Sequence, residues 1–144
     1  MPRSCALTRQ VGDEFYFRSC AGDEYFCHPH HRSPAFVGKK SQWAHDRPDE
    51  CHFFCEAQIL AAITEDGDLW LVSDQADVVF GQAEERLAFF ESGANSSTPW
   101  HGYPVGGNRP KGKARRPSVE MIVGWRNAGR IPKHVADKMI RGVL

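Results

Sequence analysis

Cys51-His52-Phe53-Phe54-Cys55-Glu56-Ala57-Gln58-Ile59-Leu60-Ala61-Ala62-Ile63-Thr64-Glu65-Asp66-Gly67-Asp68-Leu69-Trp70-Leu71-Val72 is the stretch whose reading decides the fold. Its alanines favour a helix, and Asp49 just upstream supplies a capping side chain. Against that stands Asp66-Gly67, set between two apolar runs, the strongest short-range hairpin signal. The hairpin claims the second half: residues 57–64 are read as a strand that pairs with 69–72. Residues 51–56 stay open between helix and strand.

Upstream, 14–20 and 24–27 are aromatic-rich runs on either side of Ala21-Gly22-Asp23, a second predicted hairpin. Residues 28–49, with three prolines, form a loop long enough to be suspected of function. Downstream, Ser73 or Asp74 is expected to cap a helix running to about residue 91. Phe80, Ala83, Leu87 and Phe90 would make its apolar stripe. Residues 92–117 are rich in Gly, Pro and Ser and read as loop. The chain then closes with a helical hairpin. Ser118 opens a helix with Val119, Ile122 and Trp125 on one face, and Gly129 stops it. Pro132 opens a second helix, with Val135, Ala136, Met139, Ile140 and Val143 as its stripe. The expected class is α+β: a small N-terminal antiparallel sheet of about four strands, one amphipathic helix, and the C-terminal hairpin. A single domain over 1–144 is expected, made of an acidic body (1–92), the loop (93–117) and a basic hairpin (118–144).

At 144 residues the chain can sustain a core without disulfides or metal. No apolar run approaches the roughly 20 residues of a membrane-spanning helix, and no secretory signal pattern follows Met1, so a cytoplasmic protein without membrane contact is expected. Five cysteines is an odd number, which favours reduced thiols. The formal charge of zero hides a split: residues 109–144 hold ten Lys or Arg and two acids, and residues 1–108 carry the matching acidic excess. A basic segment of that kind draws a nucleic acid or an acidic protein surface, or folds onto the acidic body of its own chain.

Three constellations carry chemistry. The first is Cys27 with His30 and His52 with Cys55, spaced as C-x-x-H and H-x-x-C; two such pairs can hold zinc tetrahedrally, so no cofactor is required but zinc is the one the residues allow. Buried free cysteines are the ordinary alternative. The second is the basic run Arg109, Lys111, Lys113, Arg115 and Arg116, preceded by Trp100, His101 and Tyr103. The cations would meet phosphates and the aromatics would stack on unpaired bases, unless the aromatics simply anchor the loop to the core. The third is His101 as acid–base group of a small hydrolase or ribonuclease-like enzyme, with Lys111 or Arg115 beside it. No Walker loop, dinucleotide fingerprint, H-E-x-x-H or G-x-S-x-G appears, so those enzyme classes have no support. The leading expectation is a non-enzymatic binding module that uses its basic C-terminal segment.

Trp125-Arg126-Asn127-Ala128-Gly129-Arg130-Ile131-Pro132 resembles the end of the recognition helix in Cro-like phage repressors, where a Trp precedes a Gly and then a small apolar–Pro step. The resemblance covers about twenty of the 144 residues. It departs from that family in having a Pro- and Gly-rich loop, not a helix pair, before Ser118. No base-reading residue is carried over.

Overall fold

The computed structural model describes residues 5–33, 40–92, 98–106 and 115–144. It is α+β, with two antiparallel sheets and three helices. The first sheet has strands β1 (Ala6–Val11), β2 (Glu14–Arg18) and β3 (Glu24–Cys27) in sequence order. The second has β4 (Ala62–Ile63), β5 (Leu69–Val72), β6 (Leu87–Glu91) and β7 (His101–Val105), also in sequence order. Helix α1 (Arg47–Leu60) lies between the sheets in sequence, and α2 (Val119–Asn127) and α3 (Lys133–Arg141) end the chain.

The stretch that decides the fold is split by the chain between both candidates. Asp46, not Asp49, caps α1: its carboxylate accepts from the Asp49 N–H at 2.9 Å, and Pro48 occupies the first turn. The helix runs to Leu60 and ends on Ala61 in the left-handed region (φ 56°). The Asp66-Gly67 turn forms as predicted, with the Thr64 N–H donating to Asp68 O at 2.9 Å. Helix therefore takes the first half of the expected strand 57–64, and β4 is left two residues long.

The helix expected over 73–91 does not form. A 3-10 turn at Asp74–Ala76 is followed by irregular backbone with Glu84 at φ 65°, and then by β6. The physical reason is burial on both faces. Leu87, Ala88, Phe89 and Phe90 are all buried, Ala88 and Phe90 in one core cluster, Leu87 and Phe89 in the other. Successive strand side chains point to opposite faces, so a continuous apolar run is what a two-sided strand requires. Leu87 and Phe90, assigned to one helical stripe by the spacing, thus face opposite ways.

The four-stranded sheet is accordingly the middle layer. On one side Leu69, Leu71 and Phe90 pack with Phe54 of α1 and with Phe17 and Tyr25 of the first sheet. On the other, Trp70, Val72 and Phe89 pack with Ile122, Trp125, Val135 and Met139 of the helical hairpin. That hairpin forms where the sequence put it: Ser118 Oγ accepts from the Met121 N–H at 3.1 Å, and Gly129 turns the chain at φ 76°. Trp125 is buried against the sheet, on the apolar face where the helical spacing puts it. Val119, Ile140 and Val143, expected in the apolar stripes, are exposed.

The two sheets meet through a parallel bridge between Tyr25 and Trp100. The Phe26 N–H donates to Trp100 O at 2.7 Å, and the Trp100 N–H donates to Glu24 O at 2.9 Å. This seam brings the end of β3 beside the start of β7. Within the second sheet, Gly102 leaves room for the Phe90 ring of β6, since a Cβ there would lie 2.3 Å from it. Among the described residues no helix is long and apolar enough to cross a membrane.

Candidate functional site

Strand alternation builds the first site. In β2 and β3 the residues Phe17, Tyr25 and Cys27 turn inward to the core, which leaves Tyr16 and Phe26 on the outer face. Tyr16 and Phe26 are cross-strand partners, and their rings stack at 4.9 Å with 22° between planes. On β1, Arg9 pairs with Tyr16 and holds its guanidinium 3.7 Å from the ring centroid. One step beyond β3 the series continues: the His28 ring lies 5.4 Å from Phe26, 4.5 Å from His30 and 6.1 Å from His101. A ladder of half-buried rings thus crosses the outer face of the first sheet and ends at a histidine cluster on the seam. His28 Nδ1 accepts from the His30 N–H at 3.2 Å and caps the 3-10 turn Pro29–His31. In the neutral ring this leaves Nε2 as the donor. Burial, and after it His30, His101 and Lys40, lower the His28 pKa and hold the ring neutral.

Glu91 organises the other side of the cluster. One oxygen lies 3.2 Å from His101 Nε2; the other accepts from the Tyr103 hydroxyl at 3.3 Å and lies 3.4 Å from Arg115 Nε. Tyr103 also stacks on His31 at 5.0 Å, and burial followed by the Glu91 charge pushes its hydroxyl up to about 12. Trp100 packs on Phe54 at 5.2 Å. Trp100 and Tyr103 therefore anchor β7 and its entry, and the rings on the outer side of the first sheet belong to Tyr16, Phe26 and His28. Sequence reasoning missed Tyr16 and Phe26, although both sit in a hairpin already predicted. Arg115 returns the basic segment to the cluster and also covers the Phe89 ring at 5.0 Å. Arg116 lies against Gly142, where a Cβ would collide with its guanidinium. Arg109, Lys111 and Lys113 lie outside the described residues.

The loop carrying these histidines is fixed from beneath by a buried ion pair. Glu50 of α1 is fully buried; it accepts from Arg32 Nε at 2.8 Å and from the Tyr25 hydroxyl at 2.5 Å. Burial pushes the Glu50 carboxyl up to about 7, against the pull of Arg32.

The second site is sulfur. Cys5 is bonded to Cys51 and Cys20 to Cys55, so four of the five cysteines are paired and the expectation of reduced thiols is corrected. The odd count misled because the fifth, Cys27, is a buried core residue whose thiol burial holds well above the ordinary range. Cys51 and Cys55 are one turn apart on α1 and share a face. Cys5 Sγ also lies 3.6 Å from Cys55 Sγ, across the two bridges. The Cys20 N–H donates to Cys55 Sγ at 3.0 Å, and the Cys5 N–H to His52 Nε2 at 3.3 Å.

Of the expected ligand set Cys27, His30, His52 and Cys55, only His52 and Cys55 are at this cluster. Cys27 faces Arg47 O at 3.9 Å, and His30 belongs to the ring ladder. Among the described residues, the group able to hold a metal is Cys5, Cys20 and Cys55, whose sulfurs lie within 4.8 Å of one another. Compared with protein-family models, curated proteins and solved structures, the chain matches none of them.

Proposed function

We propose that this chain is a non-enzymatic binding module for single-stranded nucleic acid. The observation that carries the reading is the half-buried Tyr16–Phe26–His28 ladder on the outer face of the first sheet. Half-exposed rings on a sheet face are the means by which such surfaces stack unpaired bases, and every base offers a π-face. Arg9 at one end, with Lys40 and Arg115 at the other, supplies cations for the backbone, and the basic segment 109–116 leads into Arg115. An acidic protein surface would use the cations but not the rings. Cys27 is buried and protonated, so it offers no thiolate nucleophile beside the histidines.

Fluorescence anisotropy with short labelled RNA and DNA oligomers tests the reading. Binding is expected to weaken with log salt at a slope near −0.7 per phosphate contact. Phe26→Ala or Tyr16→Ala should cost about 1–3 kcal/mol for each base unstacked, roughly 5- to 150-fold in Kd. No binding at low salt, or unchanged affinity in both variants, ends it.

The sulfur cluster favours a second reading, a structural zinc site in the reduced chain. Three sulfurs within 4.8 Å, together with the Cys51 thiol bonded to one of them, are the four soft donors that zinc takes. Native mass spectrometry of chain purified under reductant should then show bound zinc, and metal-free chain rules it out. The compartment follows the sulfur chemistry: zinc thiolates fit the reducing cytoplasm, disulfides an oxidising one.

A further inference from the structure

We infer that Cys5, Cys20, Cys51 and Cys55 form one site with two chemical states: four thiolates around a zinc ion in the reduced chain, and the disulfides Cys5–Cys51 and Cys20–Cys55 in the oxidised chain. The inference rests on the zinc reading above and adds its regulation.

Its basis is the way the four sulfurs are gathered. Cys5 precedes β1, Cys20 follows β2, and Cys51 and Cys55 lie on one face of α1, so three separate segments converge. Two staples serving stability alone have no reason to touch. Here Cys5 Sγ and Cys55 Sγ, from different bridges, approach to 3.6 Å. Four sulfurs at about 2.3 Å from zinc are separated by a tetrahedral edge of roughly 3.8 Å. The contact between the bridges is therefore already the length of such an edge. The Cys20 N–H aimed at Cys55 Sγ is the donor that favours a thiolate over a thiol there. His52, whose Nε2 accepts from the Cys5 N–H, fixes the backbone of the first sulfur from the same helix. No thiol of the cluster is left over in either state, and Cys27 stands apart in the core.

The oxidant is a peroxide. One thiolate of a pair attacks a peroxide oxygen, the O–O bond breaks, and a sulfenic acid forms with release of hydroxide. The second thiolate attacks that sulfur, the S–O bond breaks, and a disulfide and a second hydroxide result. Both hydroxides take protons from solvent. For the whole site two hydrogen peroxides and four protons are consumed, and two disulfides, four waters and the zinc ion are produced. A dithiol reverses the step by exchange and restores the ligands. Every residue of β1 is exposed, and among the described residues it is held by the β2 ladder, the Arg9–Glu24 ion pair and Cys5, so either state ties this strand to α1. A chain both reduced and metal-free would lose that tie.

The full chain, reduced and loaded with zinc under anaerobic conditions, is desalted and titrated with hydrogen peroxide. Released zinc is read with a chromophoric chelator and disulfides by peptide mapping. The expected result is about one zinc per chain, released in step with two peroxides per zinc. Mapping should recover Cys5–Cys51 and Cys20–Cys55. Cys27→Ser should behave as wild type, and Cys20→Ser should lose most of its zinc affinity. If the reduced chain takes up no zinc, the zinc reading fails and the switch with it. Should zinc bind and then stay on through the titration, or leave with other pairings formed, the switch is overturned while the zinc reading stands. Full zinc affinity in Cys20→Ser would overturn the four-thiolate site itself.

Discussion

His31 and Glu50 are both buried at the root of the histidine segment, and they answer pH in opposite senses. His31 donates its Nδ1–H to Ser41 O at 2.8 Å and lies under Tyr103; burial lowers its pKa to about 4. Because the folded value lies below the ordinary 6.5, the unfolded chain binds more protons between the two. The contribution of His31 is thus fully present above pH 6.5 and is lost as pH falls toward 4. Glu50, raised to about 7, runs the other way: the folded state keeps a proton that the unfolded chain has released, so its contribution declines as pH rises from about 4.5 to 7. The two slopes overlap and mask each other in the wild type. Removing one exposes it. The stability difference between wild type and His31→Gln, from urea unfolding, should grow by an order of 2 kcal/mol between pH 4 and 6.5. A difference independent of pH would mean that His31 is as free to protonate in the fold as in the unfolded chain.

At the scale of the element, the same apolar positions admit a helix or a strand, and the partner decides. In α2 the spacing puts Val119, Ile122 and Trp125 on one face, yet only Ile122 and Trp125 meet the sheet; Val119, in the first turn, is 56% exposed. Trp125→Ala should therefore cost about 3–5 kcal/mol, whereas Val119→Ala should stay within about 0.5 kcal/mol. Thermal melts of the pair check this, and equal losses would mean that the hairpin docks through its whole predicted stripe. The same logic explains 73–91. Phe80, Leu87 and Phe90 satisfy helical spacing, but Gly81 sits where a Cβ would meet Glu85 and Pro104, so the segment folds back as a tight turn before β6. A one-faced stripe was read where both faces were to be covered.

Across the whole molecule, the middle sheet is shared. Leu69 and Leu71 serve one core cluster while Trp70 and Val72 serve the other, alternately along the same strand. Neither cluster can open without exposing a face of β5 and β6, so the N-terminal sheet and the C-terminal hairpin should unfold as one unit. Far-ultraviolet circular dichroism and tryptophan fluorescence should give coincident transitions. Two separated transitions would mean that the hairpin is an independent unit resting on a finished sheet.

What the amino-acid sequence determined by itself is what local chemistry decides. Ser118, Gly129 and Pro132 place the C-terminal hairpin, Asp66-Gly67 and Gly22 place the turns, and the aromatic-rich runs at 14–20 and 24–27 place a strand pair, observed at 14–18 and 24–27, because caps and turns need only their own neighbours. Cysteine and histidine were recognisable as the reactive residues for the same reason: their chemistry resides in the side chain. Which of them meet was decided by tertiary structure alone. Cys5 and Cys20 join Cys51 and Cys55 because β1, β2 and α1 pack together, a contact no spacing of 46 or 35 residues announces. Trp100 packs on Phe54 and Tyr103 on Phe89 and His31, while the half-buried rings of Tyr16, Phe26 and His28 line the outer side of the first sheet, because the seam between the sheets sets which neighbours each ring meets. Whether an apolar run is helix or strand rests in the same way on how many of its faces find a partner, and that is known only once the layers are assembled.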